Sequence, residues 1–152
     1  MDDPLDTMHL ALEEARIAAT RGEVPVGAVV SDAAGTIWAA RGNEVELLDN
    51  PIAHAEFLAL QKAAAAKGTR YLADCTLTVT LEPCAMCAGA MIHARLDRLV
   101  FSASDPKAGA AGSVLSVLNH PQLNHKMVVE QGILAEQSAE LLRSFFRERR
   151  SS

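Results

Sequence analysis

Residues 74–87 read Asp74-Cys75-Thr76-Leu77-Thr78-Val79-Thr80-Leu81-Glu82-Pro83-Cys84-Ala85-Met86-Cys87, and this stretch decides the fold. Cys75, Leu77, Val79 and Leu81 alternate with threonines, the period-two pattern of a strand entering a core. Pro83 has no N–H to give a ladder, so it ends the strand, and it suits the first turn of a helix. Residues 84–94 then read as an apolar helix. With a further strand candidate at residues 98–103, a strand-helix-strand passage follows, for which a right-handed crossover and parallel pairing are expected.

Upstream, residues 53–67 form a second helix that is apolar around nearly its whole circumference and closes at Gly68. Residues 24–30 and 36–40, joined by Ser31-Asp32-Ala33-Ala34-Gly35, read as an antiparallel hairpin. Leu5, Met8, Leu12, Ala15 and Ala19 recur at helical spacing, and Gly22 stops that helix. Downstream, residues 126–130 read as a strand and 134–150 as a closing helix. The long connection 104–125 carries a short helical signal only at 113–118, and a connection of that length points to function or mobility. The order predicts a single domain over residues 1–152, an α/β fold with one mixed sheet of about five strands and helices on both faces.

The chain has 152 residues, 49% apolar and 22% charged, enough for one sizeable core. No apolar run reaches the roughly 18 residues of a membrane span, and the start Met1-Asp2-Asp3-Pro4 carries two acids where a signal peptide is basic. A soluble cytoplasmic protein without a membrane partner is expected. The net charge of -5 argues against a general nucleic-acid binder, but it is uneven. Residues 1–60 hold eleven acids and three bases, residues 61–152 eight acids and eleven bases, so the second half can meet an anion.

Three cysteines, two of them spaced C-x-x-C, suggest metal or redox chemistry before a disulfide framework. Cys84 and Cys87 open one apolar helix and His54 opens the other. Positions three apart share a helix face, so both sulfurs can close on one ion, and one imidazole makes a three-ligand set with an open fourth position. Helix N-termini also favour thiolate over thiol. Glu56 discriminates among readings. Two helical steps turn a side chain by roughly 200°, so His54 and Glu56 can share a site only if the chain passes from extended to helical between them. Glu56 would then be an acid–base group beside the ion. Taken singly, the cysteines are equally a redox pair or half of a structural zinc site, His54 a core histidine, and Glu56 a solvated helix residue.

His54-Ala55-Glu56 with Pro83-Cys84-Ala85-Met86-Cys87 resembles the signature of zinc-dependent nucleobase deaminases. Histidine as first ligand departs from the free-cytidine deaminases, which use a third cysteine. Three blocks, at residues 22–28, 80–90 and 105–113, are similar to the bacterial tRNA-specific adenosine deaminases. The resemblance implies a three-layer αβα cytidine-deaminase-like fold, with one Zn2+ per subunit held by His54, Cys84 and Cys87. It implies Glu56 as proton shuttle in the hydrolysis of a wobble adenosine to inosine, on a tRNA anticodon stem-loop, by a homodimer. It further assigns Asn43 and the backbone amide of Ala55 to the base pocket, and Asp105 and Lys107 to the anticodon loop. Ile52 and Ser102 depart from the family pattern, where threonine and glycine are common.

Arg143, Arg147 and Arg150 fall on one stripe of the last helix, with Phe146 at its border and Leu134, Leu141, Leu142 and Phe145 left to face the core. The stripe suits phosphates, with Phe146 stacked on a base. The plainer reading is a solvated basic helix end. Two rival functions share the short motifs: a guanine deaminase acting on the free base, and a non-catalytic RNA-binding subunit with structural zinc, which would not need Glu56.

Overall fold

The computed structural model describes residues 3–151, so Met1 and Asp2, read above for their charge, lie outside it. Helix α1 (Pro4–Thr20) starts at Asp3, whose carboxylate accepts from the Leu5 amide at 3.0 Å, with Pro4 in the first turn. Strands β1 (Gly27–Asp32) and β2 (Ile37–Gly42) pair antiparallel. The first strand begins three residues later than its valine pattern suggests. Pro25 has no N–H to donate, and the Val26 amide turns back on the Val24 carbonyl at 2.8 Å.

Helix α2 (Ala55–Lys67) ends at Gly68, whose φ of 70° is the left-handed cap that glycine adopts without strain. Strand β3 (Cys75–Leu81), helix α3 (Ala85–His93), strand β4 (Arg98–Ala103), strand β5 (Val128–Gln131) and helix α4 (Ala135–Ser151) complete the chain in the expected order. The sheet runs β2-β1-β3-β4-β5, antiparallel across β1 and parallel from β3 to β5.

Helices α1 and α4 cover one face, and α2 and α3 the other. Val29 faces Met8, Ala11 and Leu12 of α1, while Ala28 and Val30 face the larger core under α2 and α3. Both faces of β1 are thus buried, which explains its unbroken apolar run. The short helix expected at 113–118 does not form. The carboxylate of Glu82 takes the amides of Ala111 and Ser113, and an Ala111–Ser116 bridge closes the segment instead. No helix among the described residues is long and apolar enough to cross a membrane.

Candidate active site

The two crossover helices begin side by side, and their first residues converge. His54 and Cys84 are the N-caps of α2 and α3, both extended (ψ 148° and 176°), so the backbone changes from extended to helical where a shared role for His54 and Glu56 requires it. Nδ1 of His54 lies 3.6 Å from the sulfurs of both Cys84 and Cys87, and the three ligand atoms all lie within 4.8 Å of one another. These three residues could hold a metal ion.

The electrostatics of the cluster follow from crowding. The Cys87 thiol and the His54 ring hold Cys84 down to about 3, as thiolate, and contact with Cys84 raises His54 above its usual value. Cys84 and burial in turn push the Cys87 thiol up. Glu56 follows one step into α2 and is buried, which pushes its carboxyl up to about 7 against the opposing charge of His54. Cys75, outside the cluster, is fully buried, and desolvation pushes its thiol up to about 12, the behaviour of a small core residue.

His54, Glu56 and Cys84 open into a cleft of about 340 Å³. One wall is Asn43, Val45 and Glu46; the other is Asp105 and Ala108; Phe145, Phe146 and Arg149 of α4 also line it. Asn43 is buried and committed on both sides. Its Oδ1 accepts the Ala55 amide at 2.8 Å, and its Nδ2 donates to the Val24 carbonyl at 3.1 Å. An asparagine amide has two hydrogens and two acceptor sites, so one of each is left for a ligand. The single hydrogen of the Ala55 amide is already taken by Asn43, so of this pair it is the asparagine that has capacity to spare.

A second groove of about 980 Å³ adjoins the cleft, with Asp105, Lys107, Arg143, Phe146, Arg147 and Arg150 in its lining. The expected stripe therefore lies along one surface, but its arginines are not isolated. Arg143 pairs with Glu136 and Glu140, and Arg147 with Glu140 at 2.9 Å. Asp105 shapes its own loop, accepting from the amides of Lys107 and Ala108 at 3.0 and 3.2 Å.

Phe145 corrects the sequence reading. It is half-buried and lines the cleft, edge-on to Phe146 at 5.4 Å, with the Arg149 guanidinium 4.8 Å above its ring. Arg149 also donates to the Gly22 carbonyl, tying α4 to the end of α1. Periodicity could not reveal this, because the apolar face of α4 serves core and cleft at once.

Residues 2–150 match the family model of the MafB19-like deaminases, which fixes the class of the protein as a deaminase. A tRNA-specific adenosine deaminase of Aquifex aeolicus is 43% identical over 145 residues, 95% of each chain. A solved structure from work on A-to-I editing by tRNA:A34 deaminases superposes with a TM-score of 0.86 at 42% identity, covering 90% of this chain and 99% of that one. A guanine deaminase of Nitrosomonas europaea is similar at a TM-score of 0.80 and 27% identity, covering 95% of this chain and 85% of that one. The chain belongs to the family of tRNA-specific adenosine deaminases.

Proposed function

We propose that the chain is a zinc-dependent deaminase that converts the wobble adenosine of a tRNA anticodon to inosine. The observation that carries this reading is a buried carboxylate, Glu56, at the base of a cleft that also exposes His54 and Cys84. A structural zinc site has no use for such a group. The donor set suits zinc: with Zn–N near 2.05 Å and Zn–S near 2.3 Å, tetrahedral ligation separates N from S by about 3.6 Å, the spacing found here. A set of three protein ligands, not four, is the number found in catalytic zinc sites.

Zinc, when bound, makes water nucleophilic at neutral pH. The protein's own groups do the rest. His54, Cys84 and Cys87 would hold the ion. Glu56, its carboxyl raised toward neutrality, delivers a proton to N1 of the purine and later one to the amine at C6. One C–O bond forms at C6, one C–N bond breaks, water is consumed and ammonia leaves. The spare donor and acceptor of Asn43 orient the base. Phe146 offers a stacking face, and Lys107, Arg147 and Arg150 offer charge to phosphates, with Asp105 shaping the loop between them. An unpaired loop base is easier to extrude than one in a duplex, which suits an anticodon loop.

A homodimer and a cytoplasmic location belong to the same proposal. Leu47, Leu48 and Ile52 in one loop, and Val114 and Leu115 in another, are exposed apolar side chains that a second subunit would cover. Cysteine ligands need a reducing compartment. Light scattering at micromolar concentration should give twice the chain mass, and the mass of one chain would exclude the dimer.

A panel of substrates tests the reaction. With an anticodon stem-loop, free guanine and free adenosine, the purified protein should form inosine and ammonia from the stem-loop. Xanthine from guanine would favour the rival enzyme, and no product from any of the three would favour a non-catalytic subunit.

A further inference from the structure

We infer that two buried carboxylates outside the reacting centre, Glu23 and Glu82, position the two walls of the cleft, each by gripping the backbone of one rim loop. Both side chains line the cleft at 1–2% exposure. Glu23 accepts the amides of Glu46 at 3.1 Å and Leu47 at 2.9 Å, in the loop that follows Asn43. Glu82 accepts the amides of Asp105 at 3.0 Å, Ala111 at 2.9 Å and Ser113 at 3.0 Å, and also the Ser113 hydroxyl. Each loop forms one wall, and each is held by a residue from the opposite end of a long stretch of chain.

The chemistry of the grip demands a carboxylate. Ionised Glu accepts only, with about four lone-pair sites on two oxygens, and Glu82 fills four with donors. A glutamine would turn an NH2 group toward amides that are themselves donors. The loop is built around the carboxylate: a Cβ on Gly109 would lie 2.4 Å from Cδ of Glu82 and 2.6 Å from the Asp105 carbonyl. Glycine is needed here for this close approach. Glu82 also stands two residues before Cys84, so the wall bearing Asp105 and Ala108 is referenced directly to the metal-binding cluster.

The inference rests on the deaminase reading for its catalytic consequence but not for its structural one, and the test separates them. In Glu82→Gln, amide hydrogen exchange at Asp105, Ala111 and Ser113 should accelerate at least about tenfold while Glu46 and Leu47 keep native rates. Glu23→Gln should give the reverse pattern. Both variants should keep one zinc per chain. Each should lose about 100-fold in kcat on the stem-loop, the scale expected for a small misplacement of the base, with a smaller change in KM because the basic helix is untouched. Ser113→Ala removes one of four donors and should shift the same amides less, which serves if Glu82→Gln does not fold. Native exchange at these amides, or a kcat loss that only tracks the unfolded fraction in melting curves, would overturn the inference. A wild-type protein that makes no inosine would defeat the functional reading while the exchange pattern still judges the grip.

Discussion

Oδ1 of Asn43 accepts the amide hydrogen of Ala55 at 2.8 Å, so the residue between His54 and Glu56 is fixed to the end of β2. One side chain thereby sets the entry angle of α2, and with it the direction in which His54 and Glu56 face the cleft. Asn43→Ala removes this bond and the one to Val24, leaving the buried Ala55 amide unpaired, while the Val24 carbonyl keeps the Val26 amide. A stability loss of about 1–3 kcal/mol in urea unfolding is expected. Inosine formation should fall about 100-fold in protein that is still folded. Wild-type stability would show that the contact anchors nothing.

Charge reversal on α4 separates phosphate binding from a merely solvated helix end. Arg147→Glu with Arg150→Glu should weaken stem-loop binding at least about tenfold and make the slope of log K against log salt shallower by about 1 to 2. The pair that Arg147 makes with Glu140 and its bond to the Ser144 hydroxyl are both exposed, so melting temperature should barely move. An unchanged salt slope would return the stripe to the plainer reading.

Ser102 sits on β4 with its hydroxyl buried and, among the described residues, without a hydrogen-bond partner. Ser102→Ala removes a desolvated polar group and leaves the strand backbone alone. Stability should rise by about 1 kcal/mol, or about 2–4 °C in a thermal melt. A loss of stability would mean that the hydroxyl is satisfied.

The single tryptophan reports on the hairpin. Trp38 donates its indole N–H to Asp32 Oδ2 at 2.9 Å, and this bond, with the amides of Thr36 and Ala34, holds the Asp32 carboxyl below its ordinary value of 3.8. A depressed carboxylate adds stability above its unfolded pKa, and that contribution disappears as pH falls through the lower folded value. Trp38 fluorescence should therefore titrate with a midpoint below 3.8, and Asp32→Asn should abolish the step. A midpoint above 3.8 would contradict the bond.

The order and type of every element could be read from the sequence because each obeys a strong period: two in β3, all-round apolarity in α2 and α3, 3.6 in α1. That His54, Cys84 and Cys87 come together was legible for a related reason. His54 and Cys84 stand where apolar runs begin, and the two helices that begin there pack side by side on one face of the sheet. What holds the cleft walls was not legible. Glu82 grips amides 23 to 31 residues away, and nothing local marks an acid between Leu81 and Pro83 as the organiser of residues 105–113. The same bonds divert residues 113–118 from the helix that their composition favours. Phe145 and Arg149 escaped notice because a periodic face shows which side of a helix is apolar, not what it meets.

The account stands on Glu56 as the group that moves protons beside an ion held by His54, Cys84 and Cys87. The most direct measurement is inosine formation in an anticodon stem-loop by wild type and Glu56→Gln, with zinc content measured on the same samples. The account predicts one zinc per chain in both and inosine only in the wild type, with a loss of at least about 100-fold in the variant. A zinc-loaded Glu56→Gln protein that still makes inosine at the wild-type rate would contradict it.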